Sequence, residues 1–261
     1  MEIVICESQH QAADLVADAI EDLVATKPSA VLGLATGSSP VLVYDELGAR
    51  VAAGKLSLAK AKAFLLDEYV GLHASHPETY RNVIARDFVA KADIEPVRVS
   101  GLDGAATDLP RACADYERSM TTAGGVDLQV LGIGADGHIA FNEPGSSFGS
   151  RTRIKTLTDQ TRHDNARFFG GDPAAVPQHC LTQGIATILE ARHIVLLAFG
   201  SGKAEAVREM AEGPLSTSCP ASALQLHPHV SVLLDEDSAA LLSRANQYRE
   251  TFAAKPAWQR L

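Results

Sequence analysis

Apolar and polar positions alternate between two patterns along the chain. Short, mostly apolar runs stand at 3–6, 30–35 (AVLGLA), 61–72 (AKAFLLDEYVGL), 126–134 (VDLQVLGIG), 191–200 (ARHIVLLAFG) and 229–237 (HVSVLLDED). Runs of this kind read as strands buried on both faces. Segments of helical period stand between them. Ala12, Val16, Ile20 and Leu23 mark one face after Ser8-Gln9-His10-Gln11, which has the spelling of a capping box, and Lys27-Pro28 ends that helix. Further helices are predicted from Pro40, capped by Ser39, to about Ala53, and from about Lys203 to Glu212. The third apolar run is read as one strand ending near Asp67. Strands alternating with amphipathic helices predict an α/β fold: a Rossmann-like, open, mostly parallel sheet with helices on both faces. Ligands of such folds sit outside the carboxyl ends of the strands.

No Pro/Ser-rich linker, repeat or low-complexity tract divides the 261 residues, so one domain over 1–261 is expected. The weakest periodicity lies from Thr158 to Gln178, with Gly170-Gly171, Pro173 and Pro177. A mobile lid is expected there, around 158–182. Hydrophobic residues make up 46% and charged residues 21%, enough for a sizeable core and against disorder. A net charge of -9 excludes a sequence-independent grip on nucleic acid, so any phosphate site must be local. Cys6, Cys113, Cys180 and Cys219 are far apart, as reduced thiols are, and no apolar run has the length of a membrane span or signal peptide. A cytoplasmic protein is expected.

Four stretches carry chemistry. Gly132 to Gly137 (GIGADG) spells G-x-G-x-x-G, and Asp159 supplies an acid further on. A dinucleotide fingerprint needs a helix from its third glycine, and His-Ile-Ala-Phe-Asn-Glu-Pro-Gly gives none. What remains is Asp136, His138 and Glu143 at a strand's carboxyl end. A half-buried His between two carboxylates suits proton relay. A metal is the minority reading, since no second His pair joins it. "GLATGSSP" (33–40) turns from strand to helix, with Thr36, Gly37, Ser38 and Ser39 near a helix N-terminus, which favours an anion. It is no Walker loop. "FGSGK" (199–203) repeats the turn, and Lys203 in a first helical turn opposes the helix dipole unless an anion offsets it. In "LLDEYVGL" (65–72), Asp67 and Glu68 end an apolar run, and spacing cannot say which of the two would take a proton from a substrate carbon.

Together with HPETY (76–80), DGHIAFNEPGSS (136–147), SRTRIKTLT (150–158), ALQLHP (223–228) and LLDE (233–236), these residues resemble the glucosamine-6-phosphate deaminase family over nearly the whole chain. The resemblance implies aldose-ketose isomerisation and deamination of glucosamine 6-phosphate, a step of amino-sugar catabolism, with no redox cofactor and no catalytic metal. It places C2 proton transfer on Asp67 and ring opening on His138, with Asp136 and Glu143 as hydrogen-bonded partners of the imidazole. It assigns phosphate to Thr36, Gly37, Ser38, Ser39, Arg167 and Lys203. It implies a homo-oligomer, in some members a hexamer activated by N-acetylglucosamine 6-phosphate, and matches Ser146, Ser147, Arg153 and Lys155 to that effector. Arg153 and Lys155 would share one strand face. The chain departs from the pattern at Ala135, often Asn in relatives, and at Arg249, where regulated members carry a tyrosine; Tyr248 is one residue early. A 6-phosphogluconolactonase-like hydrolase shares the phosphate turns but gives no reason for Asp67-Glu68-Tyr69 or Asn142-Glu143-Pro144. A non-catalytic sugar-phosphate sensor would carry a basic helix-turn-helix for which this chain has no spare length.

Overall fold

The computed structural model describes residues 1–256 and 258–261. The chain runs β1 (Glu2–Ile5), α1 (Gln9–Thr26), β2 (Val31–Leu34), α2 (Ser38–Ala52), β3 (Lys62–Leu65) and β4 (Asp67–Tyr69). Then come α3 (Tyr80–Ile84), β5 (Val99–Ser100), α4 (Leu109–Thr122), β6 (Leu128–Gly132), β7 (Arg153–Thr156), α5 (Asp159–Asn165) and β8 (His179–Thr182). The last part is α6 (Ile185–Ile188), β9 (His193–Ala198), α7 (Ala204–Glu212), β10 (Val230–Leu234), α8 (Glu236–Ala239) and α9 (Ala245–Ala253).

Seven strands form one sheet in the order β1-β10-β9-β6-β2-β3-β5, every neighbour parallel. Leu32, Leu128, Val130, Leu131, Ile194 to Ala198 and Val232 to Leu234 are buried, as strands covered on both faces require. The sheet's sense of progression reverses between β2 and β6: β2 leads outward to β3 and β5, β6 to β9 and β10. Such a reversal opens a crevice at the carboxyl ends of the strands flanking it. A second sheet is small and antiparallel, in the order β4-β8-β7.

Three sequence expectations are corrected. The run 61–72 is two strands in two sheets, because the chain breaks at Leu66. The Leu65 carbonyl accepts from Tyr116 Oη at 2.5 Å and Gln183 Nε2 at 3.0 Å, and the Leu66 carbonyl accepts from Gln183 N at 2.8 Å. These bonds pull Asp67 out of the parallel sheet and into register with Thr182. Helix α2 starts at Ser38, so Ser39 does not cap it; Gly37 is the cap residue, and no side chain satisfies the free N–H groups. The 158–178 segment is compact, built from α5 and 3-10 turns at Ala166–Phe168 and Pro173–Ala175. Residues 179–182 are the central strand of the small sheet, so they cannot move as part of a lid without breaking it. The cap of α1 holds: Ser8 Oγ accepts from Gln11 N, while Gln11 Oε1 takes the N–H of Glu7 rather than of Ser8.

Candidate active site

Four adjacent strands, β9, β6, β2 and β3, deliver the candidate residues from their carboxyl ends. The loop after β2 carries Thr36 to Ser39. The loop after β6 carries Asp136 and His138, that after β9 leads to Lys203, and the break after β3 leads to Asp67. Residues as far apart in the chain as Thr36 and Lys203 are thus brought to one edge of the sheet, beside its reversal point.

Two of the loops present anion-seeking ends. Gly37 (φ 106°, ψ 177°) and Gly200 (φ 84°, ψ 155°) have the same left-handed geometry, which a side chain would strain, and each precedes a helical turn with no side-chain cap. Open space lies where a Cβ would stand at Gly37, Gly200 and Gly202. Lys203 and Arg167 form no ion pair with a carboxylate among the described residues. Arg167 stacks its guanidinium 4.7 Å above the Phe168 ring. Burial lowers the Lys203 pKa, and the positive charge of Arg167 lowers it further. A second cation whose charge reaches Lys203, at an uncapped helix start, is an arrangement that a bound phosphate would relieve.

The adjacent acids of β4 have opposite fates. Glu68 is spent on the backbone: its carboxylate accepts from Tyr69 N at 2.9 Å, Tyr80 N at 3.0 Å and Arg81 N at 3.1 Å, tying β4 to the start of α3. Asp67 is buried at 7% exposure, and no protein donor reaches its carboxyl among the described residues. Burial raises its pKa well above the usual carboxylate range, with the neighbouring Glu68 charge adding to the rise. Glu68 is raised by burial too, against three hydrogen bonds that lower it. The choice that spacing left open falls on Asp67 as the carboxyl free to act.

The loop after β6 is a tight turn with no helix, as a dinucleotide fingerprint would require. Gly134 N donates to the His138 carbonyl at 2.9 Å, and a Cβ on Gly134 would lie 2.2 Å from the imidazole. Glycine is there so that His138 can fold back over the strand end. His138 Nδ1 lies 2.7 Å from Asp136 Oδ1, and Asp136 also accepts from His138 N. Despite burial, these contacts lower the Asp136 pKa, so it stays a carboxylate. The imidazole is half-buried, leaving Nε2 as the nitrogen not engaged by Asp136.

The expected second partner of His138 is elsewhere. Both oxygens of Glu143 are held by Thr158, from N at 3.0 and 3.2 Å and from Oγ1 at 3.1 Å, and no bond joins Glu143 to His138 among the described residues. The reason lies between them. Ile139 and Asn142 pair across a turn whose Ala140 has φ 48°, and that turn redirects Glu143 toward Thr158, the first residue of the 158–178 segment. Thr158 is also the cap of α5, so Glu143 joins the turn to the helix leading to Arg167.

Of the expected effector residues, Arg153 and Lys155 do share a face of β7, opposite Thr182 and Cys180 of β8. Ser146 is buried with its Oγ unpartnered, and exposed Ser147 accepts from Gly149 N. Tyr248 donates to Glu212 and Arg249 pairs with Glu236 at 2.5 Å, so α9 spends both side chains on the helices beside it. Two cavities lie off the crevice. One of about 720 Å³ runs along the β5 edge and α4, past Arg81, Asp103 and Arg111. One of about 510 Å³ lies between α4 and β7, past Glu117, Arg151 and Arg153. No group of His, Cys, Asp and Glu suited to a metal occurs among the described residues.

An open α/β sheet with uncapped glycine turns and a buried, unpartnered carboxyl at the carboxyl edge of its strands is the build of a small-ligand α/β enzyme. Residues 6–233 match the family described as glucosamine-6-phosphate isomerases/6-phosphogluconolactonase, and the chain belongs to it. It is 62% identical over 261 residues, the full length of both chains, to a glucosamine-6-phosphate deaminase of Beutenbergia cavernae. Its structure is similar to that of a monomeric glucosamine-6-phosphate deaminase, at TM-score 0.89 and 42% identity, over 92% of this chain and 100% of that one. A 6-phosphogluconolactonase from Trypanosoma cruzi shares the fold alone, at TM-score 0.74 and 19% identity over 93% and 97% of the two chains.

Two supporting residues, Thr182 and Gln183, have no signal in the sequence: they bond to Phe141, Asn142 and Leu65, about 40 or more positions away, and no motif marks them, while Asn142 stands in the DGHIAFNEPGSS run without a role being legible there.

Proposed function

We propose that this chain is a glucosamine-6-phosphate deaminase, converting glucosamine 6-phosphate and water to fructose 6-phosphate and ammonia in amino-sugar catabolism. The observation that carries the reading is Asp67, a buried carboxyl that no protein donor occupies, beside a Glu68 wholly committed to structure. A lactonase has no proton to remove from carbon and leaves that carboxyl without a task.

The phosphate binds between the turns at Thr36 to Ser39 and Gly200 to Lys203, with Arg167 giving a forked grip and Lys203 a point charge. This remote binding energy orients the reacting carbons. His138, its Nδ1 on Asp136, moves the O1 proton to the ring oxygen and opens the sugar. Asp67 then removes the C2 proton, which leaves an enolamine. Proton return at C1 gives an imine at C2, and water hydrolyses that imine to the ketose and ammonia. Burial and the Glu68 charge hold Asp67 toward its neutral form, and the substrate's C2 ammonium is the opposite charge that favours the carboxylate. Neither step calls for a metal or redox cofactor.

The finer expectations belong to the same reading. The chain acts as one domain in the cytoplasm, with 158–178 as its lid, Glu143 turning from Thr158 to His138 when the lid closes, and no nucleic acid or membrane as partner; no described helix is long and apolar enough to cross a membrane. A homo-oligomer with N-acetylglucosamine 6-phosphate at Ser146, Ser147, Arg153 and Lys155 gives the paired cations of β7 a use. Arg249, where regulated relatives carry tyrosine, speaks for weak activation. Ammonia release from glucosamine 6-phosphate, measured beside lactone hydrolysis and with and without the effector on protein of known mass, tests all of this. Lactone hydrolysis without ammonia release would overturn the deaminase reading.

A further inference from the structure

Asn142 is fully buried, yet its side chain touches three separate parts of the molecule. Nδ2 donates to the Ile139 carbonyl at 3.0 Å and to the Gln183 carbonyl at 2.8 Å, while Oδ1 accepts from Arg153 Nη1 at 2.9 Å. Two carbonyls face one end of the amide and a guanidinium the other, so its orientation is fixed. Each contact leads somewhere. Ile139 is the residue after His138, and Asn142 N also bonds its carbonyl at 3.1 Å, closing the turn around the left-handed Ala140. A strained non-glycine residue persists only where its surroundings over-determine it, and here Asn142 supplies both bonds. Gln183 is 1% exposed and grips the chain just before Asp67, through N to the Leu66 carbonyl and Nε2 to the Leu65 carbonyl. Next to it, Phe141 N donates to Thr182 Oγ1 at 3.1 Å, and Thr182 is the residue opposite Asp67 in the small sheet. Arg153 is the third residue of that cross-strand row, opposite Thr182 on the other side.

We propose that Asn142 is a positioning residue of the deamination: through Gln183 it fixes the His138 turn against the Asp67 strand, and through Arg153 it ties that spacing to β7. The inference rests on the deaminase reading above. Ring opening and C2 proton removal act on adjacent carbons of one sugar, so the imidazole and carboxyl must keep one separation. The phosphate grip comes from other loops, so disturbing Asn142 changes the chemical steps more than binding. A misplacement of the order of 1 Å costs about a hundredfold in such steps.

The test uses Asn142→Asp, which keeps the shape but turns the donor end against two carbonyls, and Arg153→Gln, at the half-buried end of the network, which leaves both Nδ2 bonds intact. For Asn142→Asp we expect kcat to fall about a hundredfold with KM within about threefold. For Arg153→Gln we expect a fall of about threefold, and a double variant no slower than Asn142→Asp alone. A KM rise matching the loss in kcat, or losses that multiply in the double variant, would overturn the proposal. If Asn142→Asp does not fold, Arg153→Gln still decides, because kcat and KM both unchanged from wild type refute the link. Wild-type protein without ammonia release would refute the deaminase reading itself. In that case amide exchange separates the two: faster exchange at 139–143 in Arg153→Gln, with β9 unchanged, supports the positioning role, and unchanged exchange at both refutes it.

Discussion

The two sheets divide the labour. The seven-stranded parallel sheet is buried on both faces and ends in turns that seek an anion. The three-stranded antiparallel sheet carries the buried Asp67 carboxyl on β4 and joins the 158–178 segment at β7 and β8. Its own small core is aromatic: Tyr69 packs against Tyr80, Phe141 and Phe169 at ring separations of 5.0 to 5.7 Å. Tyr69 Oη also accepts from Asn165 Nδ2 at 3.0 Å, at the end of the lid's helix. On the proposed reading, the large sheet would hold the substrate's constant end and the small sheet the acid that moves a proton. Separating grip from chemistry lets each be broken alone.

The largest effect is expected on the chemical side. Asp67→Asn should lower turnover about a thousandfold or more while phosphate-bearing ligands still bind. Glu68→Gln should act instead on the melting temperature, since it loosens three backbone bonds; equal losses of turnover from both would erase the distinction drawn between the neighbours. His138→Gln should cost about a hundredfold from the closed ring and less from an open-chain substrate, by steady-state comparison of the two. On the gripping side, Lys203→Ala should raise KM about tenfold or more with a smaller change in kcat. An unchanged KM would place the phosphate elsewhere.

The smallest effect sharpens the comparison from the far end of the large sheet. His193 and His229 stack there at 3.7 Å, His193 Nε2 meets Ser231 Oγ at 3.0 Å, and His227 takes the His229 N–H. Burial, then the neighbouring His229, His227 and Lys255, push the His193 pKa down to about 3. Its folded pKa lies below the unfolded value near 6.5, so the stabilisation is complete above that pH and fades as pH falls toward 3. Denaturant titration should show a loss of roughly 2 kcal/mol between pH 7 and 5, and a flatter limb in His193→Gln. A loss unchanged by that substitution would assign it to other groups.

The parallel sheet was legible in the sequence because its strands are continuous apolar runs and its turns carry glycine at fixed places. The contact between Asp136 and His138 was legible for a similar reason: both lie in one short turn. What escaped depends on partners distant in the chain. Asp67 looks like the end of a strand, and only Thr182 across the small sheet shows that it begins another. Glu143 is near His138 in sequence, but its oxygens are held by Thr158, 15 residues on. Ser39 obeys the rule for a helix cap, yet the helix begins earlier and leaves its N–H groups open. At each of these places a local rule yields to the tertiary structure around it.

Hydrogen exchange at C2 tests the central claim most directly. Glucosamine 6-phosphate carrying deuterium at C2, turned over by the wild-type chain, should release one ammonia per fructose 6-phosphate, with a slowed step and deuterium lost from C2. Asp67→Asn, still able to bind phosphate, should release no ammonia and keep its deuterium. Loss of the C2 deuterium at the wild-type rate in Asp67→Asn would contradict the account.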